Sequence, residues 1–234
     1  MSDCEGDGAG VADSAPAGCA ILASAVVAAL AGRKVAIFDL EIKANPEAIS
    51  GGWGNHAGMG VSVLCVFDYE SMRYRLFDDA SRGEALDLLY SREVVAGFNT
   101  VNFDWRVLDA CWGVARGPGG GALARPLDAD LLAAIYAGLG GRSKGYKLDD
   151  VLADTLGVRK SGDGAAAPGL WQSGRHAALH DYVLCDVTRE RQLFEYALTH
   201  GCVRRAGRKV PIRWSAGVAQ RLGLADDCSG CHRG

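Results

Sequence analysis

Three consecutive β-type runs open the folded part of the chain, and their order restricts the fold more than any other feature. Residues that are β-branched or aromatic predict strands at 34–42, 61–67 and 73–77. Beyond them helical and β patterns alternate, with helices predicted at 82–91, 103–112, 131–137, 147–156 and 176–200 and strands at 94–98 and 126–128. This order predicts an α/β fold in which a mixed sheet, an antiparallel meander plus parallel strands, is flanked by helices.

The size of the chain favours a single domain. It has 234 residues, of which 49% are hydrophobic and 23% are charged, and this is enough for one sizeable core. We predict a disordered acidic N-terminal tail at 1–19, a folded domain at 20–203 that opens with a helix at 20–31, and a basic C-terminal extension at 204–234. Glycine-rich runs at 117–121 and 162–169 are predicted to be surface loops.

The net charge limits how the chain can meet nucleic acid. A formal charge of −3 and a pI of about 5.9 exclude a polycation that coats nucleic acid non-specifically. A basic stretch follows the last predicted helix, starting with Arg204 and Arg205 and continuing to Arg213. It is either a solvated tail or a strip that holds backbone phosphates, and Arg204 and Arg205 are candidate substrate contacts.

The cysteines indicate a reducing environment, because several of the eight lie in apolar runs where a free thiol behaves as a small hydrophobic residue. The apolar stretch 18–30 is too short for a membrane span and lacks the basic start of a signal peptide. We therefore expect an intracellular protein, cytoplasmic or nucleoplasmic, that is not secreted and has no membrane partner. Cys228, Cys231 and His232 look like half of a zinc site, but no second ligand pair accompanies them and we assign them no metal role.

Two acids end the first predicted strand. Alternation along the strand places Asp39 and Glu41 on the same face as the apolar residues before them. Adjacent anions there cost electrostatic energy unless a cation or solvent offsets it, and a hard divalent metal prefers such oxygen ligands. The alternative is an exposed strand end with two solvated acids.

Further acids follow a later strand and lie on the last long helix. Asn99 and Asp104 belong to a segment that leads from a strand into the first turn of a helix, where an acid can also serve as an N-terminal helix charge. Tyr182 and Asp186 are four residues apart, and so share one helix face, where a tyrosine at the margin of the core is an ordinary alternative. Asp128 and Asp130 open another predicted helix, and capping is their leading explanation.

Taken in order, these motifs resemble those of the DEDD superfamily of 3′–5′ exonucleases, in its tyrosine-bearing branch, which is ribonuclease H-like and related to proofreading exonuclease domains. The resemblance covers residues 33–200. The histidine branch would place His five residues before the last acid, where this chain has Asp181. Segments 52–56, 147–150 and 160–164 also match little-characterised predicted members of the superfamily, without assigned roles.

The resemblance implies a two-metal site on a ribonuclease H-like fold. The four acids Asp39, Glu41, Asp104 and Asp186 would bind two Mg²⁺ or Mn²⁺ ions about 4 Å apart, one generating hydroxide and one stabilising the leaving oxygen. Tyr182 would orient the attacking water, and the products would be nucleoside 5′-monophosphates. The substrate would be the single-stranded 3′ end of DNA or RNA.

Three more residues are candidate substrate contacts. Asn99 and Phe103 belong to the second motif, and Trp53 lies in the glycine-rich segment 43–60, which leaves the first strand beside the acids. Trp53 is either anchored in the domain or stacks on a base near the 3′ terminus.

Two functions compete on the sequence alone. The first is a metal-dependent 3′–5′ exonuclease, acting alone, as a homo-oligomer or beside a separately encoded replication or repair partner. The second is a catalytically inactive ribonuclease H-like module that binds nucleic acid or serves as a scaffold. The presence of all four acids and Tyr182 favours the enzyme.

Overall fold

The structure, a computed structural model, describes residues 11–12, 25–117, 120–159 and 166–224. A mixed sheet lies at its centre, with strands in the order β1-β4-β3-β2-β5-β6. Its strands are β1 (Val11–Ala12), β2 (Val35–Ile42), β3 (Val61–Asp68), β4 (Arg73–Phe77), β5 (Val94–Gly97) and β6 (Leu127–Asp130). Strand β4 pairs antiparallel with β1 and β3, and β3 pairs antiparallel with β2. Strand β5 runs parallel to both of its neighbours, β2 and β6. The predicted α/β fold, an antiparallel meander plus parallel strands, is confirmed.

Helices cover both faces of the sheet. They are α1 (Ala25–Leu30), α2 (His56–Met59), α3 (Arg82–Tyr90), α4 (Asp104–Cys111), α5 (Leu131–Leu139), α6 (Leu148–Leu156), α7 (Ala167–Gln172), α8 (His176–His200) and α9 (Ala216–Leu222). No helix in the described ranges has an apolar stretch long enough to cross a membrane.

Strand β2 divides the core in two because its side chains alternate between the faces of the sheet. Val35 and Ile37 belong to a cluster that includes the buried face of α8. Ala36 and Phe38 belong to a second cluster on the opposite face, with residues of α3 and α4. The predicted alternation is therefore correct, and it turns the two acids of β2 towards α8.

Several predicted boundaries shift in the structure. The strand predicted at 126–128 extends to Asp130, since both of its acids pair with β5 in parallel register. Asp128 therefore lies within β6 and does not open the next helix. Asp130 does cap α5, as predicted, by accepting N–H groups of that helix's first turn. The glycine-rich run 162–169 was predicted to be a loop, but its last three residues belong to helix α7. Residues 162–165 of this run lie outside the described residues.

The basic stretch after α8 is folded onto the domain. It forms a hairpin of β7 (Cys202–Arg205) and β8 (Arg208–Pro211), followed by α9. The hairpin packs closely on α5, because a Cβ on Gly138 would lie 1.7 Å from the carbonyl oxygen of Pro211. The domain boundary predicted at residue 203 stays a prediction. Of the predicted acidic tail only β1 is described, and Cys228, Cys231 and His232 lie outside the described residues.

Candidate active site

Strand β2 and helix α8 bring three of the predicted carboxylates together. Asp39 and Glu41 share the face of β2 that packs on α8, and Asp186 lies on the buried face of α8. One carboxylate oxygen of each residue lies within 4.8 Å of the others. The resemblance to the exonuclease superfamily implied that the acids of the first and third motifs meet, and these three do.

Burial makes this group of acids electrostatically costly. Asp186 is fully buried and Glu41 is 8% exposed, while Asp39 is partly exposed. Arg189, three residues after Asp186 on α8, lies 3.7 Å from its carboxylate and offsets part of the charge. An all-oxygen ligand set of this kind fits a hard divalent cation such as Mg²⁺ or Mn²⁺.

The fourth predicted acid, Asp104, is outside the group that meets within 4.8 Å, but it lines the same pocket as Asp39. It is the first residue of α4 and is 2% exposed. Burial, followed by the negative charge of Asp39, raises the pKa of Asp104 well above the usual range of an aspartic acid. Its Oδ1 accepts no hydrogen bond from the described part of the chain. A buried carboxylate oxygen in this state fits a metal ligand.

Asp130 holds the loop that leads into Asp104. Its Oδ1 accepts the backbone N–H of Asn99 at 2.9 Å, and its Oδ2 accepts that of Val101 at 3.2 Å. Asn99 has a φ of 68°, which is uncommon for a residue other than glycine. The loop conformation therefore depends on a carboxylate two strands away from β2.

Asp128 provides a second tether for the same loop. It accepts the hydroxyl of Thr100 at 2.8 Å and the indole N–H of Trp105 at 2.6 Å. Burial raises the pKa of Asp128 to about 6, against the lowering effect of these two donors. Asp130 thus holds the backbone of the second motif, and Asp128 holds the side chains of Thr100 and Trp105.

Tyr182 lies one turn before Asp186 on α8 and is 8% exposed. The two residues share a helix face, as their spacing predicted. The assignment of Tyr182 to the attacking water stays a prediction.

Glu190 is a further carboxylate that the motifs do not include. It lies one turn beyond Asp186 on the same face of α8, is 2% exposed and lines the pocket. Its carboxylate fits against Gly97, whose missing side chain also lets β5 approach the carbonyl oxygen of Phe38. The i, i+4, i+8 spacing of Tyr182, Asp186 and Glu190 was the sequence signal that would have identified it.

A pocket of about 770 Å³ opens beside these acids. Trp53 and Phe103 form part of its wall, with ring centroids 6.0 Å apart. Trp53 is 62% exposed, so it covers Phe103 and does not fill the core. Asn99 also lines the pocket, so three of the predicted substrate contacts belong to its lining, and their role stays a prediction.

The structure does not bring Arg204 and Arg205 into the pocket lining. Arg204 is exposed on β7. Arg205 forms ion pairs with Asp154 at 2.8 Å and Asp150 at 3.4 Å on α6. Direct phosphate contacts by these two arginines stay a prediction.

Comparison with solved structures supports the fold described above. No protein-family model matches the chain, and no curated protein matches it. Among solved structures, the chain is similar to the family B DNA polymerase from the hyperthermophilic archaeon Pyrobaculum calidifontis, with 20% identity and a TM-score of 0.53. The similarity covers 70% of this chain but only 24% of the polymerase chain. At this identity the likeness shows a shared fold alone.

Proposed function

We propose that the protein is a metal-dependent 3′–5′ exonuclease that hydrolyses phosphodiester bonds from the 3′ end of DNA or RNA. The observation that carries this proposal is the meeting of Asp39, Glu41 and Asp186 within 4.8 Å, beside a pocket that is lined by Asp39 and Asp104. The direction of hydrolysis and the nucleoside 5′-monophosphate products follow from the resemblance of the ordered motifs to the DEDD superfamily.

The carboxylates of these four residues would hold two Mg²⁺ or Mn²⁺ ions. When bound, such ions lower the pKa of a water molecule and neutralise charge on a reacting phosphate. The buried Oδ1 of Asp104, with no hydrogen bond from the described residues, supports its inclusion in the ligand set.

The remaining residues of the site orient the reactants. The hydroxyl of Tyr182 positions the attacking water, since an unaided tyrosine is a poor base near neutral pH. Trp53 and Phe103 provide aromatic surface for the terminal base, a contact that accepts any nucleotide. Asp128 and Asp130 keep Asn99 and Asp104 in place through the loop between β5 and α4.

The likeness to part of a DNA polymerase supports nucleic acid as the substrate. The presence of every acid of the three motifs supports an active enzyme over an inactive binding module.

The proposal is tested with purified protein and single-stranded DNA and RNA labelled at either end. We expect label at the 3′ end to be released first as mononucleotide, with Mg²⁺ or Mn²⁺ and not with EDTA. Asp39→Ala is the control for a contaminating nuclease. Binding without hydrolysis under every metal condition would instead identify an inactive nucleic-acid-binding module.

A further inference from the structure

One wall of the pocket differs in chemistry from the rest of its lining. It is built from the segment 143–148, which connects α5 to α6 and lines the pocket without interruption. Lys144 and Lys147 lie in this segment, and both are exposed. The rest of the lining includes the carboxylates of Asp39, Asp104 and Glu190.

The two lysines are available to a ligand. Neither forms an ion pair within the ranges that the structure describes. A ligand that spans this pocket can pair anionic groups with the lysines while its reacting group lies at the acids with their cations. A chain of successive phosphates has this property.

The lysine segment is held in position from outside the pocket. The guanidinium of Arg205 on β7 donates to the carbonyl oxygen of Gly145, and it also pairs with Asp150 and Asp154 on α6. Gly145 has a φ of 83°, a conformation that residues with a side chain rarely adopt. Arg205 therefore links the hairpin, α6 and the pocket wall, which makes it a positioning residue.

We propose that Lys144 and Lys147 bind the phosphate on the 5′ side of the scissile phosphate, and that Arg205 positions them. This rests on the proposed function. The scissile phosphate joins the 3′-terminal nucleotide to the rest of the strand. When it lies at the carboxylates, the terminal nucleotide has a free 3′ hydroxyl and no phosphate beyond it. Every additional phosphate of the strand is then on the 5′ side, so a second anion-binding wall can only meet the strand there.

The first test measures binding in EDTA, which does not depend on hydrolysis. Fluorescence anisotropy of a labelled single strand should show binding about 3- to 30-fold weaker for Lys144→Ala/Lys147→Ala, with a salt dependence shallower by about one to two counterions. The matched control is Lys34→Ala/Arg73→Ala, which removes the same charge from exposed positions at the opposite end of the sheet. Equal weakening by both double variants would show a general charge effect and overturn the proposal.

The second test identifies the phosphate. A neutral methylphosphonate at the linkage next to the scissile one should weaken binding to the unsubstituted protein about as much as the lysine changes do. Combined with Lys144→Ala/Lys147→Ala it should add little further loss, because two changes to one contact are not additive. Full additivity would show that the lysines contact another group.

The third test concerns Arg205. Arg205→Ala should weaken binding in the otherwise unchanged protein but should add no further loss to Lys144→Ala/Lys147→Ala. An independent additional loss would assign Arg205 a phosphate of its own and would overturn its role as a positioning residue. If the lysine results hold while no substrate is hydrolysed with Mg²⁺ or Mn²⁺, the binding wall stands and the proposed exonuclease activity is wrong.

Discussion

The carboxylate of Asp130 accepts the backbone N–H of Asn99 at 2.9 Å, across the ends of two adjacent parallel strands. The same oxygen also accepts an N–H from the first turn of α5. One side chain thus joins a helix start to the loop that carries Asp104, and the shape of the candidate site depends on a residue that is not one of its predicted ligands.

Asp130→Ala should therefore affect both stability and activity. The change leaves several partly buried backbone N–H groups without this acceptor, and we expect a loss of about 1–3 kcal/mol in the free energy of unfolding. Hydrolysis should fall as well, since Asn99 and Asp104 lose their support. Asp130→Asn, which keeps one acceptor oxygen, should lose less on both counts. Thermal unfolding and kcat measure the two effects, and an unchanged melting temperature for Asp130→Ala would contradict them.

Single replacement of Asp39, Glu41, Asp104 or Asp186 by Ala should abolish hydrolysis and leave the fold intact. Removing one acid also relieves repulsion among buried like charges, so stability without metal should not fall in Asp39→Ala. Mg²⁺ at 100 times its dissociation constant should stabilise the unsubstituted protein by about 2.7 kcal/mol, and this gain should shrink in the variant. Full activity in Asp39→Ala would show that the site is assigned wrongly.

Tyr182→Phe should lower turnover by about 100-fold or more while metal binding is kept. The ring remains to fill its buried position on α8, so only the hydroxyl is lost. Single-turnover rates, with the metal-dependent rise in melting temperature as the control, measure the effect. An unchanged rate for the chemical step would leave Tyr182 a packing role only.

Trp53→Ala should raise KM for single strands by about 5- to 100-fold, which corresponds to the loss of one base-stacking contact. Because Trp53 is 62% exposed, the melting temperature should change little, and Trp53→Phe should recover part of the binding. Leu123→Ala, at another exposed apolar position, is the control. If Trp53→Ala instead melts several degrees lower and binds single strands normally once folded, Trp53 anchors its loop and the stacking prediction is wrong.

The pKa of Asp128 predicts a specific pH dependence of stability. Burial raises this pKa to about 6 from the ordinary value of 3.8, so between these values the folded protein holds a proton that the unfolded chain has released. Stability relative to Asp128→Asn should therefore fall as pH rises from about 4 to about 6, by up to about 3 kcal/mol, and then level off. Denaturant unfolding of both proteins across this range measures the difference. A difference that is constant with pH would contradict the shift.

The sequence predicted the parts of the site that depend on local periodicity. The two-residue alternation of β2 placed Asp39 and Glu41 on one face, and the bounds of α8 were predicted as the structure has them. These patterns are visible because each element buries a regular set of apolar residues.

Other features depend on tertiary contacts that a linear pattern does not contain. The β7–β8 hairpin buries only Val203 and Val210 among mostly basic residues, so its sequence indicates an exposed tail. The contacts of Arg205 with Gly145 and α6 follow from how distant elements dock.

The meeting of β2 with α8 also has a consequence for folding kinetics. Asp39 lies near the beginning of the described chain and Asp186 near its end, so their contact closes a very long loop and contributes a high contact order. The ligand set is then complete only after the early meander and the late helix have both formed and docked. A divalent cation should therefore slow the unfolding rate much more than it speeds refolding, because the transition state for folding lacks the finished site.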